Sequence, residues 1–133
     1  MKYLCLAYEE ERTLNELSER EWQVLRTETL EYVEGLRASG RLLDARPLQS
    51  ATAASTVRVR NGRLAITDGP FAETKEQIGG YFLIEADDFD EALRIAADWP
   101  SARFGSIEVR PVDEELNAGR RYASGRSSGA ASA

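Results

Sequence analysis

Asp68-Gly69-Pro70-Phe71-Ala72-Glu73-Thr74-Lys75-Glu76-Gln77-Ile78-Gly79-Gly80 leads directly into Tyr81-Phe82-Leu83-Ile84. The first part is a loop with a stiff entry. Asp68 accepts bonds from its own downstream amides in an Asx-type turn, Gly69 tolerates the conformations allowed before proline, and Pro70 fixes φ and removes a donor. Phe71 is read as the apolar peg that seats the loop, while Glu73, Lys75 and Glu76 bring opposite charges together. Gly79 and Gly80 permit a bulge or a close approach by another backbone or a ligand. The four residues that follow are apolar without alternation. That is the mark of a strand buried on both faces and therefore central in its sheet. A functional loop on a rigid scaffold has this composition, and so does a structural loop with surface ion pairs.

Reading outward, Thr56-Val57-Arg58-Val59-Arg60 and Arg63-Leu64-Ala65-Ile66 flank Asn61-Gly62, a strong short hairpin signal. Counting from the turn sets Val59 opposite Leu64 and Val57 opposite Ile66, leaving Arg58, Arg60 and Arg63 on the other face. That cationic face is compatible with an anionic substrate, with solvent, or with pairing to the chain's own acids. Upstream, small polar residues from Gln49 to Ser55 mark a loop. Arg41 to Arg46 reads as a strand that Pro47 ends or places at a sheet edge. Ser18 with Glu21 forms a capping box for a helix of about twenty residues to Gly40, with Trp22, Leu25, Thr29, Val33 and Leu36 on its apolar stripe. Trp22 is read as a core anchor. Glu9, Glu10, Glu11 and Arg12 read as a solvated loop, and Tyr3 to Tyr8 is a second strand apolar on both faces. Downstream, Asp88 with Glu91 gives another capping box, and Phe89, Ala92, Leu93 and Ala96 form the buried side of a helix ending near Pro100. Ser106 to Arg110 alternates as the last strand, with Ile107 and Val109 facing in.

Setting the hairpin aside, the order is strand, helix, strand, strand, helix, strand. This α+β pattern is the ferredoxin-like split unit, an antiparallel sheet with two helices on one face. Its two middle strands are the two apolar on both sides. The helices cover only one face, so the other requires a second cover, most simply a second copy of the chain. A homodimer is the expectation, with residues 1–116 as one domain and 117–133 as a Ser/Gly/Ala/Arg-rich tail.

Composition excludes several functions. Of 133 residues, 23 are acidic and 17 basic, and the first 116 carry a net charge of −9, which repels phosphate backbones and argues against direct nucleic-acid binding. Fifteen arginines against Lys2 and Lys75 fit a GC-rich bacterial genome. Cys5 stands alone, so no intrachain disulfide forms, and its apolar neighbours make it a structural thiol. With no histidine, a Ser-His-Asp triad, a Cys-His pair and a histidine metal site are all ruled out. There is no metal spacing, dinucleotide fingerprint or phosphate loop, and hence no implied cofactor. No stretch approaches the roughly 20 apolar residues of a membrane span, and a cytoplasmic location is expected.

Asp68 to Glu76 closely resembles the signature of the YCII-related proteins, in particular the subgroup known by the letters DGPFAETKE, and the likeness extends to about Val112. The resemblance implies a dimeric α/β-barrel and a pocket at the signature loop. The wider group is linked to a histidine-aspartate active site, which this chain cannot carry; Thr29 falls near the histidine position. If chemistry occurs, Asp68 or Glu73 is the expected base and Lys75 the anchor for a carboxylate or oxyanion. Phe71, Thr74, Glu76, Gly79, Gly80 and Tyr81 are the expected binding residues. The subgroup also resembles proteins encoded beside extracytoplasmic-function sigma factors, which implies an interaction protein with a sigma factor as the alternative. In a third reading the loop only locks the dimer.

Overall fold

The computed structural model describes residues 1–116 and 119–122. The expected tail over 117–133 falls mostly on positions outside those described. Four strands form one antiparallel sheet in the order β2-β5-β1-β6, comprising β1 (Lys2–Glu9), β2 (Leu42–Pro47), β5 (Gln77–Glu85) and β6 (Gly105–Pro111). The two strands apolar on both sides, β1 and β5, are the two in the middle, and β2 lies at an edge with Pro47 at its end. Their register places Leu4 beside Leu83 and Leu6 beside Tyr81 on one face, with Tyr3 beside Ile84 and Cys5 beside Phe82 on the other.

Three helices accompany the sheet: α1 (Glu11–Asn15), α2 (Glu19–Ala38) and α3 (Phe89–Ala97). Helix α2 opens on the expected reciprocal capping box between Ser18 and Glu21. In α3, Asp88 accepts from the Glu91 amide, but Glu91 accepts from the amide of Asp87 instead of the cap residue's own. Tyr3, Cys5, Phe82, Ile84 and Ala92 are fully buried between the sheet and the helices, and Trp99 is nearly so. Burial pushes the Cys5 thiol up to about 12, which suits a packed side chain and not a nucleophile.

Three expectations are corrected. The solvated loop after β1 is helical from Glu11. Trp22 is 43% exposed, and the core tryptophan is Trp99. The whole first turn of α2 is exposed and its buried stripe begins at Leu25, so a residue in phase with the stripe still lies outside the core. Leu93 is also exposed; Ala92 and Ala96 face the core, with Phe89 and Ile95 packed against it.

The hairpin stands apart as its own two-stranded sheet, β3 (Ser55–Arg60) and β4 (Arg63–Asp68). Its register is the one counted from the turn, with Val57 opposite Ile66 and Val59 opposite Leu64. Asn61 and Gly62 both have positive φ, at 52° and 74°, as a two-residue turn of this hand requires. Its apolar face is open to solvent in the single chain: Val57, Val59, Leu64 and Ile66 are between 58% and 64% exposed.

Candidate functional site

The three glutamates at the end of β1 organise the ground around the signature loop. Glu11 accepts bonds from the Ser50 hydroxyl at 2.6 Å and the Ala51 amide at 2.7 Å, which fixes the 3-10 turn Ala51–Ala53. Those two bonds hold its carboxyl below the usual range, the Ser50 hydroxyl contributing most. Glu10 accepts from the Thr13 hydroxyl and stands 3.7 Å from the Lys75 ammonium. Glu9 lies over Gly79, the extra residue of a bulge where β5 pairs with β1, and a side chain at position 79 would collide with the Glu9 carboxylate. Glycine there is the condition for that carboxylate to fold inward.

Burial, and then the charge of Glu11, push the Glu9 carboxyl up. A raised carboxyl favours the protonated form in the folded chain. Its stabilising contribution is complete below the ordinary glutamate range near pH 4 and is lost as pH rises through the folded value. Glu9→Gln should therefore raise the melting temperature at about pH 7 and leave it nearly unchanged at about pH 3. Thermal unfolding at the two pH values checks this, and an equal effect at both would show that Glu9 does not titrate as stated.

The signature loop is stitched at both ends. Gly69, with φ of 103°, donates its amide to Ala54 at 2.7 Å, and the Thr56 hydroxyl donates to the Gly69 carbonyl at 3.0 Å. Further on, the Gln77 side-chain amide donates to the carbonyls of Ala72 and Thr74, both at 2.9 Å, so the loop curls around one side chain. Phe71 does not seat the loop. It is 74% exposed, and the Arg58 guanidinium carbon lies 5.2 Å from its ring centroid.

Between this loop and the 3-10 turn lies a cavity of about 720 Å³. Its walls come from Tyr8, Leu48, Gln49–Ala51, Ala53, Ala54, the loop from Pro70 to Ala72, and Thr74 with Glu76–Ile78. Small side chains at Ala51, Ala53 and Ala54 leave the room, and Leu48 is fastened there by its backbone N–H, which donates to the Gly79 carbonyl at 2.8 Å. Tyr8 and Phe71 supply aromatic surface, and Ser50, Thr74, Gln77 and Glu76 supply polar groups. This size and mixture suit a small organic ligand.

Of the residues singled out by sequence, Phe71, Thr74 and Glu76 line the cavity. Asp68 closes β4 opposite Ser55, and Asp68 and Glu73 are exposed and outside the lining. Lys75 is 85% exposed and directed at Glu10, because that carboxylate is the acid within reach. Gly79 lies under the Glu9 side chain, Gly80 is packed against the Arg46 carbonyl, and neither is in the cavity wall. Tyr81 donates its hydroxyl to Asp44 at 3.1 Å on the uncovered sheet face. Tyr8, Leu48, Ser50 and Gln77 were missed. Gln77 lies in the signature stretch itself and Ser50 in the run of small residues after Gln49, which is also what an ordinary loop looks like; nothing in the sequence singles out Tyr8 or Leu48.

Comparison with known proteins adds three findings. The YCII-related domain matches residues 1–115. An uncharacterized protein of Rhizobium meliloti is 40% identical over 118 residues, covering 84% of this chain and 92% of its own length. A 5-chloro-2-hydroxyhydroquinone dehydrochlorinase from Burkholderia phenoliruptrix, in complex with 2,5-dihydroxybenzoquinone, has a similar fold. Its TM-score is 0.53 and its identity 17%, over 85% of this chain and 94% of that one.

Proposed function

This chain belongs to the YCII-related domain family, and on that premise we propose that it binds a small, flat ring compound in the cavity under its signature loop. Residues Asp68–Glu76 spell DGPFAETKE, which supports placing it in the subgroup of that name. The observation that carries the binding reading is the cavity itself. Its largely apolar walls, two aromatic side chains and few polar groups are the usual make-up of a site that orients one ring. The dehydrochlorinase of similar fold holds a flat, oxygenated six-membered ring, which supports the same shape of ligand here. The acid-base candidates Asp68 and Glu73 stand outside the walls, so the reading is of a binding site first.

The test is thermal unfolding against a panel of ring compounds. A ligand at 100 times its dissociation constant adds about 2.7 kcal/mol, a shift of several degrees for a domain of this size. Ala53→Trp fills the cavity from its wall and should abolish the shift while sparing the ligand-free melting point. Lys75→Ala should leave the shift intact. Binding that survives Ala53→Trp would show that the ligand sits elsewhere.

We also propose a homodimer. Leu4, Leu6, Tyr8, Tyr81 and Leu83 occupy the sheet face that no helix covers, and the apolar hairpin face is open as well. An isolated two-stranded hairpin is marginal in water, and a second copy would cover both surfaces at once.

A further inference from the structure

We propose that Arg58, held over Phe71, is the anion-reading edge of the cavity, and that the ligand is a planar ring carrying an ionised oxygen group, a carboxylate or an acidic hydroxyl. The inference rests on the cavity reading and adds the charge of the ligand to it.

The lack of a carboxylate partner does not by itself single out Arg58, since Arg20, Arg26, Arg37 and Arg94 also have none among the described residues. Lys75, the other cation of the loop, faces Glu10. Arg41 is shared between Asp87 and Glu91, and Arg46 meets Asp44. Among the described residues no carboxylate lies within ion-pair distance of Arg58, Arg60 or Arg63, so the cationic face of the hairpin is not neutralised by the chain's own acids. Arg58 is not itself a wall residue, but it differs from the other two because its guanidinium sits 5.2 Å from the ring centroid of Phe71, and Phe71 is part of the cavity wall.

Stacking engages the flat face of a guanidinium and leaves its N–H donors, which point outward in the plane, unused. Those donors form the fork that binds two oxygens of a carboxylate. Phe71 thus holds the charge beside the cavity wall without consuming its hydrogen bonds. The cavity wall has one carboxylate of its own, Glu76. It repels an anionic group and accepts a hydroxyl, so a ring with its charge at one edge is turned with that edge away from Glu76 and toward Arg58. A neutral ring receives no such direction.

The test is amide chemical-shift titration with benzoate and with benzamide, which share a ring and differ in charge. Benzoate should bind the unmodified chain about tenfold more tightly than benzamide, the worth of a charged hydrogen bond at a partly open site. Arg58→Gln should bring benzoate down to the level of benzamide, and Arg63→Gln, on the same hairpin face but away from Phe71, should keep the preference. Equal binding of the two probes to the unmodified chain, or a preference that survives Arg58→Gln, overturns the role of Arg58 and leaves the cavity reading standing. If neither probe shifts the amides that line the cavity, the cavity reading fails and this inference with it.

Discussion

Trp99→Ala is expected to lower the free energy of unfolding by about 3–5 kcal/mol, a large share of the 5–15 kcal/mol that holds a domain of this size together. Trp99 follows α3 directly and is only 8% exposed. Its indole lies flat on Phe82 of β5, with centroids 3.8 Å apart and planes 6° apart, while Tyr32 of α2 meets it edge-on at 5.8 Å. One side chain therefore joins the central sheet to the long helix. Tyr32 is itself held by a 2.8 Å bond from its hydroxyl to the Ile95 carbonyl in α3, so the neighbours cannot simply close over the space. A cavity would remain, and its cost adds to the lost burial. Trp22→Ala is the control. Its side chain is exposed, and the change should stay within about 0.5 kcal/mol. Denaturant midpoints for the two variants decide between the tryptophans, and similar losses from both would show that the core has been misplaced.

The same pair of tryptophans shows how far the sequence could be read. Apolar runs without alternation identified β1 and β5 as central, because a strand greasy on both sides has nowhere else to lie. The Asn61-Gly62 turn gave the hairpin register residue by residue, since the turn leaves no freedom in the count. Helical periodicity identified the stripe of α2 but not where the sheet beneath it ends, so Trp22 was in phase and yet outside. Glu9, Glu10 and Glu11 were invisible as a unit for a different reason. A run of like charges looks solvated, and the Ser50 hydroxyl that orders Glu11 is 39 positions away in the chain. The cavity was half legible: the loop that roofs it has a recognisable spelling, but its other wall is made by the absence of bulk at Ala51, Ala53 and Ala54. Missing side chains carry no signal until the fold sets them opposite something.

Leu6→Glu is expected to split the proposed homodimer. Leu6 lies at the centre of the uncovered sheet face, beside Tyr81 on β5 and Glu108 on β6. In the single chain it is partly open, so a glutamate there can stay hydrated and the fold should survive. In a two-fold assembly through this face, the same substitution enters the interface twice. An ionised carboxylate sealed there without a partner costs about 3–5 kcal/mol. Two copies would exceed about 6 kcal/mol, which raises the dissociation constant by more than about 10⁴-fold. The unmodified chain should sediment at twice its 14.8 kDa and the variant at 14.8 kDa. Leu93→Glu, on the exposed side of α3, separates a surface effect from an interface effect, because that leucine has solvent on one side in either state and should leave the mass doubled. An unmodified chain that sediments at 14.8 kDa, or a Leu6→Glu chain that keeps twice that mass, would place the cover of this sheet face somewhere other than in a second copy.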